Sequence, residues 1–350
     1  MEHVGIDLGA SRSAVCVVSK AGAVISEREI RTAQLGSFLA KRSASRVAIE
    51  SCAESRAVAM LAESAAHEVR VVPASFVRSL GIGARKIKTD RRDARNLAIA
   101  SFRLGDELPS IHMRSDEGAK IQDLVRARTS LITQRTRSIN FVRAQFRKAL
   151  RGRGPRATSK TFVARVREVL GEEHDLEVEA HLVVIDALND RIDVLESRMK
   201  EFARTHGDAL RLQKIAGVGP IVSLSFIATI DDASRFGSGA QLASYLGLSP
   251  GEHTTGGRVR RTGVIAAGQK HMRAMLVQAA HVMLNARRTR EPMAQWASDL
   301  ATRRGRKVAV CALARRLAVV MWAMLRDGTE YEPRLTKPGS PEERARAFPS

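Results

Sequence analysis

Aromatic side chains are scarce in this chain, at 4% of residues with two tryptophans and two tyrosines. That scarcity weakens any reading built on platforms that stack nucleobases. Cysteine is scarcer still. Cys16, Cys52 and Cys311 are odd in number, far apart and form no CxxC pair. They exclude a disulfide framework and point to a reducing compartment. Acidic residues are in deficit, with 37 Asp and Glu against 58 Lys and Arg, a balance of +21. A long uninterrupted apolar run is also missing, because Arg315 and Arg316 break the late stretch Val308–Leu325. That stretch does not read as a membrane span. Met1 leads directly into a strand-like segment without the layout of a signal peptide. The expectation is a cytoplasmic, nucleoid-associated protein with no membrane partner.

What is present supports folded, polyanion-seeking units. A length of 350 residues accommodates two or three compact units, and a hydrophobic fraction of 44% is ordinary for a globular protein. The basic surplus favours polyanions, because each phosphate neutralised releases condensed counterions. Basic proteins also bind anionic membranes, so charge by itself does not choose the partner. Nucleic acid is the favoured one.

The first hundred residues alternate strands and helices. Val4–Leu8, Ser13–Ser19 and Ala23–Ile30 read as strands, with Lys20-Ala21-Gly22 as a turn. Arg46–Glu50 and Val69–Val72 follow as strands, each after a helix-like stretch, and Asp90–Leu104 reads as a helix. This is an α/β layout. The middle then changes character. Val125, Ile132, Ile139 and Phe146 recur at sevens, and Ile185, Leu188, Ile192, Leu195, Met199 and Phe202 alternate steps of three and four. Such spacing is the seam of a coiled coil or of an antiparallel helix pair, either folded on itself or shared between copies. Arg151–Arg156 reads as the break between the two runs. Arg126, Arg128, Arg135, Arg137, Arg143, Arg147 and Lys148 form a run of one sign, expected to contact a nucleic-acid backbone rather than merely face solvent.

Near Leu212 a third segment begins. Ile215–Pro220, with Gly217 and Gly219, resembles the hairpin of helix-hairpin-helix DNA-binding modules, where backbone amides approach a phosphate. A glycine-rich turn between two core helices fits the same residues equally well. Residues after 332, with Pro333, Pro338 and Pro341, read as a flexible tail. The expected organisation is 1–110, 111–208, 209–332 and 333–350.

Four acidic residues carry the chemistry. Gly5-Ile6-Asp7 places one on a buried first strand, and Ile49-Glu50 places a second at the end of the fourth. Lys88-Thr89-Asp90 with Asp93-Ala94 adds two more, one helical turn apart on one face. In such a fold the first and fourth strands are neighbours, so Asp7 and Glu50 can converge. Singly, Asp7 reads as a strand-end turn former, Asp90 as a helix cap and Asp93 as a partner of the helix dipole. Together, carboxylates that would otherwise repel favour a site for hard cations such as Mg²⁺, which takes carboxylates, waters and substrate phosphates. Actin-like ATPases and sugar kinases share the opening GIDLG, but their later phosphate and adenosine loops have no counterpart in this sequence.

The ordered set resembles the DEDD transposases and recombinases of bacterial insertion sequences, the insertion-sequence one-ten type, with the related Piv DNA invertases. Besides the motifs above, the resemblance rests on Pro73, Gly217-Val218-Gly219 and Tyr245-Leu246-Gly247-Leu248-Ser249-Pro250. It extends through Gly256, Gly263, Gly268, Arg273 and Ala314–Ala318. It implies an RNase H-like (RuvC-like) N-terminal domain, a long helical coiled-coil hairpin and a mainly α C-terminal domain that supplies a serine nucleophile. The implied metal-binding quartet is Asp7, Glu50, Asp90 and Asp93. It also implies a covalent phospho-protein link to DNA, a bridge RNA that pairs with donor and target DNA, and a homo-oligomer of two dimers with composite active sites. The serine position falls on Thr255, whose extra methyl crowds and stiffens the hydroxyl. A Thr-Lys pair usual before Gly268 is replaced by Ala266-Ala267. Arg258, Arg260 and Arg261 follow the nucleophile loop as candidate phosphate contacts. The expected function is magnesium-dependent DNA strand exchange. The alternatives are a Piv-like invertase, a junction nuclease and a nucleic-acid-binding protein without catalysis.

Overall fold

The computed structural model describes residues 1–77, 90–171, 175–255, 258–264, 267–285 and 291–333, with the backbone alone along 252–264. The chain divides into two compact units, Met1–Met113 and Arg114–Ser350. The helical segment and the C-terminal segment expected over 111–208 and 209–332 therefore lie in one unit.

In the first unit, β1 (Glu2–Asp7), β2 (Arg12–Val18) and β3 (Val24–Arg31) form an antiparallel meander. The chain then crosses over through α1 (Leu35–Ala40) to β4 (Ser45–Glu50), and through α2 (Ser55–Ser64) to β5 (Glu68–Val72). β4 lies parallel to β1, and β5 parallel to β4. Among the described residues this gives one mixed sheet of order β3-β2-β1-β4-β5. A short α3 (Ala74–Val77) follows, and α4 (Asp90–Leu104) is the last helix of the unit.

Strand periodicity sorts the side chains between two faces. Val4, Ile6, Val47 and Ile49 pack with Leu35, Leu39, Val58 and Ala62 on the side of α1 and α2. The alternate positions face α4: Ala48 packs with Leu97 and Ala100, while Ala14, Cys16 and Val18 pack with Ala94 and Ala98. Small residues on both surfaces let α4 lie very close to the sheet. At Gly5 a Cβ would stand 2.1 Å from the Ala94 carbonyl oxygen and 2.5 Å from the Ala98 nitrogen. Only glycine fits there.

The second unit begins with α5 (Asp116–Lys148), capped by Ser115, whose hydroxyl accepts from the Gly118 N–H at 3.0 Å. Then follow α6 (Phe162–Leu170), α7 (Leu176–Thr205), α8 (Gly207–Leu212), α9 (Pro220–Ile230) and α10 (Gly239–Tyr245). A hairpin of β6 (Pro250–Thr255) and β7 (Arg258–Val264) precedes α11 (Lys270–Asn285), α12 (Pro292–Arg304) and α13 (Arg306–Asp327). α5 and α7 run antiparallel, since Arg128 meets Glu196 while Arg135 meets Asn189. Their paired length changes character along its course. Ile121, Val125 and Met199 join the main core with α9, α11 and α13. Ile139, Val142 and Phe146 instead join α6 and the start of α7 in a separate core at the far end.

α13 is long and apolar enough to cross a membrane by length and composition. Its Leu313, Ala314, Leu317, Ala318, Met321 and Trp322 are all buried in the main core of this unit, which explains the apolar run.

Candidate functional site

The acidic residues of the first unit sit where strand register puts them. Asp7 ends β1 and Glu50 ends β4, and the parallel register runs up to Ile6 opposite Ile49. Asp7 shares its strand face with Gly5, and Glu50 shares its face with Ala48, so both belong to the side covered by α4. The helix runs antiparallel to β1. The Ser101 hydroxyl bonds the His3 Nδ1 at 2.9 Å, and Ala98 and Ala94 lie over Gly5. Continuing that course brings the first turn of α4, with Asp90 and Asp93, to the Asp7 end of the strand. Asp93 is on the buried side of the helix at 2% exposure, and Asp90 is exposed. Lys88 and Thr89 of the same motif lie outside the described residues.

A polar knot braces the turn after Asp7. Thr32 Oγ1 donates to the Gly9 carbonyl at 2.7 Å and bonds the Ser13 hydroxyl at 2.8 Å. The Gly9 N–H donates to Ser13 Oγ at 3.4 Å, and a Cβ on Gly9 would meet the Arg12 carbonyl at 2.2 Å. Nothing in the sequence signals this knot, because Thr32 meets Ser13 only through the β2–β3 pairing.

The donor set fits a hard divalent cation: carboxylate oxygens from two adjacent strand ends and one helix turn, one of them buried. Burying a carboxylate is costly unless hydrogen bonds or a cation compensate it. Among the described residues, no group of three or more His, Cys, Asp and Glu side chains is gathered closely enough to hold an ion.

In the second unit, Thr255 is the last residue of β6 and pairs with Arg258, the first of β7. Arg260 and Arg261 lie further along β7, opposite His253 and Glu252. The side chains of Thr255, Arg258, Arg260 and Arg261 are outside what the structure describes, as are Gly256 and Ala266. The base of this hairpin is tightly built. Gly247 (φ +68°) and Gly268 (φ +86°) leave no room for a Cβ, which would stand 2.0 Å from the Ala267 oxygen and 2.5 Å from the Tyr245 oxygen respectively. Arg273 Nη1 donates to the Ala267 carbonyl at 2.7 Å, and Gln269 Nε2 donates to the Tyr245 hydroxyl at 3.1 Å. The Tyr245–Pro250 motif thus anchors the hairpin, with Gln269 as a participant that no sequence pattern marked.

The basic run on α5 splits into two groups. Arg126, Arg137, Arg147 and Lys148 are exposed. Arg128 turns toward α7: it donates through Nε and Nη2 to Glu196 at 2.9 and 2.7 Å, with both side chains about four-fifths buried. Arg135 also turns inward, donating to Asn189 Oδ1 at 2.8 Å, and burial lowers its pKa. Arg143 is half-buried, with its guanidinium 5.5 Å from the Phe162 ring centre. Gly217 likewise serves packing. It adopts φ +84°, and a Cβ there would stand 2.7 Å from the Ala279 carbonyl of α11. Gly219 has open space around it and precedes Pro220, the first residue of α9.

Two family profiles match this chain. A DEDD transposase profile of the IS110 type matches residues 4–150, and one described as "Transposase IS116/IS110/IS902 family" matches residues 209–296. A "Probable family 20 transposase" of Pseudomonas aeruginosa is 28% identical over 95% of this chain and 99% of its own length. The transposase for insertion sequence element IS1328 of Yersinia enterocolitica is 27% identical over 94% and 98% of the two chains. That for IS1111A of Coxiella burnetii is 24% identical over 92% and 89%.

Proposed function

Because the chain belongs to the IS110-type insertion-sequence transposases, enzymes that act on DNA, we propose that Asp7, Glu50, Asp90 and Asp93 form its strand-cleavage centre and that Thr255 is its nucleophile. The observation that supports this is the placement of Asp7 and Glu50 at the C-terminal ends of the neighbouring interior strands β1 and β4, on the face that α4 covers, with Asp93 on the buried side of the first turn of α4. The strand order β3-β2-β1-β4-β5 supports an RNase H-like, RuvC-like reading of this unit. A DEDD domain generally works with a divalent metal, and Mg²⁺ suits these oxygen donors. Bound there, it would neutralise the carboxylates and polarise the scissile phosphate.

The rest is the work of the chain's own residues. The knot of Ser13, Thr32 and Gly9 fixes the turn beyond Asp7, and Gly5 seats α4 close to β1 so that the first turn of the helix, with Asp93, lies toward the Asp7 end of the strand. Thr255 Oγ attacks phosphorus, an O–P bond forms, and the bond to the 3′ oxygen breaks. The hydroxyl proton ends on the departing 3′ oxygen, leaving a 5′ phosphothreonine and a free 3′ hydroxyl. One phosphoester replaces another, so the bond energy is kept for rejoining. Arg258, Arg260 and Arg261 hold the phosphate, and the turn of Gly217 and Gly219 supports the DNA-facing end of the unit. The exposed cations of α5 track a nucleic-acid backbone, with a bridge RNA as guide and a homo-oligomer completing the sites.

Trapping tests the reading. Labelled element-end DNA incubated with protein, Mg²⁺ and the guide should yield a covalent adduct, lost in Thr255→Ala and in Asp7→Ala. Recombination by Thr255→Ala would refute the nucleophile, and cleaved DNA without any adduct would favour a hydrolytic nuclease.

A further inference from the structure

The far end of the α5–α7 pair contains a cleft that the reaction above does not use. It has a volume of about 810 Å³ and is lined by Arg143, Arg147, Arg153 and Arg156, with Asn140 and the Gly154-Pro155 turn. The chain makes this hollow by folding back on the end of α5. The Arg151 N–H donates to the Phe146 carbonyl at 2.8 Å, and Gly154 lies so near the Phe146 ring that a Cβ would stand 3.3 Å from it. Arg147 near the helix C-terminus has a plain reading as a partner of the helix dipole. That reading does not extend to Arg153 and Arg156, which lie beyond the helix.

Two observations point to a polyanionic ligand. The 44 residues Leu124–Arg167 hold 13 Lys and Arg and no Asp or Glu. Nearby cations on the same hairpin have acidic partners: Lys160 with Asp193, Arg165 with Glu168, and Arg167 with Glu179. None of the four cleft arginines forms an ion pair with an acidic side chain among the described residues. Four converging guanidinium groups repel one another, and ligand phosphates relieve that repulsion. The lining offers no aromatic ring, so it is suited to phosphates rather than to stacked bases.

We infer that this cleft grips the phosphodiester backbone of nucleic acid, independently of sequence, at the far end of the helix pair. The inference extends the reading that α5 tracks a nucleic-acid backbone, and it can fail separately from it. Arg153 and Arg156 are exposed, so the double substitution R153Q/R156Q spares both cores. Binding of the full-length protein to a random-sequence DNA duplex and to a structured RNA hairpin would be measured across a salt series. For the ligand that uses the cleft, the log–log salt slope should become shallower by about two, and affinity near 0.1 M salt should fall roughly ten- to a hundredfold. The charge-matched control R165Q/R198Q removes two cations already paired with Glu168 and Glu201 and should change far less. Loss confined to RNA or to DNA identifies which strand is held. Unchanged slopes for both would overturn the inference and leave the cleft to an acidic protein segment, as would an equal loss in the control. If R126Q/R137Q weakens binding and R153Q/R156Q does not, the α5 face stands and the cleft falls.

Discussion

The two units treat charge in opposite ways. In the first, carboxylates far apart in sequence are assigned to one face by strand register, with Asp7 and Glu50 at the C-terminal ends of neighbouring strands and Asp93 on the buried side of the helix that covers that face. In the second, cations close in sequence are dispersed. Arg128 and Arg135 turn into the helix pair, Arg126 and Arg137 face outward, and Arg143 and Arg147 line a cleft with Arg153 and Arg156. The difference lies in the backbone. A strand end fixes its side chain's side to one of two faces, whereas a long arginine on a two-sided helix pair goes wherever a partner lies.

The sharpest way to break the collected site is to move the helix that completes it. Gly5→Ala pushes a methyl into the backbone of Ala94 and Ala98, and should cost about 3 kcal/mol of stability by chemical denaturation. Any folded fraction should bind DNA and cleave poorly. Gly217→Ala breaks the second unit instead, through strain at φ +84° and the Ala279 carbonyl. It should cost roughly 1–3 kcal/mol and weaken catalysis only through lost folded protein. The dispersed cations should then separate by readout. Arg128→Met leaves the largely buried Glu196 without that partner and should cost about 1 kcal/mol with an unchanged salt slope, whereas Arg126→Gln should leave stability alone and lower the slope by about one.

The smallest effect concerns pH, and it spans both units. Burial, aided by Arg46 for His3 and Arg128 for His271, lowers both imidazole pKa values from 6.5. Below 6.5 the unfolded chain binds protons that the folded chain refuses, so stability declines as pH falls from 6.5 through the lowered values. Melting temperatures at pH 7.5 and 5.5 should show that decline, and His271→Gln should reduce it for the second unit.

Much of the first unit was legible because its signals are local. Alternation in Val4–Leu8 and Ser13–Ser19 and the turn at Lys20–Gly22 anticipate strands that end within two residues of those observed. The sevens of α5 and the three-four steps of α7 anticipate a helix pair, though Ile132 and Leu195 are only half-buried. The fate of each arginine was hidden, because Arg128 meets Glu196 through a register that no spacing reveals. Gly217 fitted either a phosphate-binding turn or a packing turn by sequence, and only the nearness of α11 exposes the packing demand. The brace of Ser13 and Thr32 needed the folded sheet to be seen at all.

The central claim is that the carboxylates at the ends of β1 and β4 and in the first turn of α4 act on the scissile phosphate rather than merely stabilise the fold. Single-turnover cleavage of end-labelled element DNA in Mg²⁺, with DNA affinity and melting temperature measured in parallel, tests it for Asp93→Asn. The account predicts cleavage reduced by about 10²–10³-fold or more with binding and folding retained. Cleavage at the wild-type rate by a folded Asp93→Asn protein would contradict it.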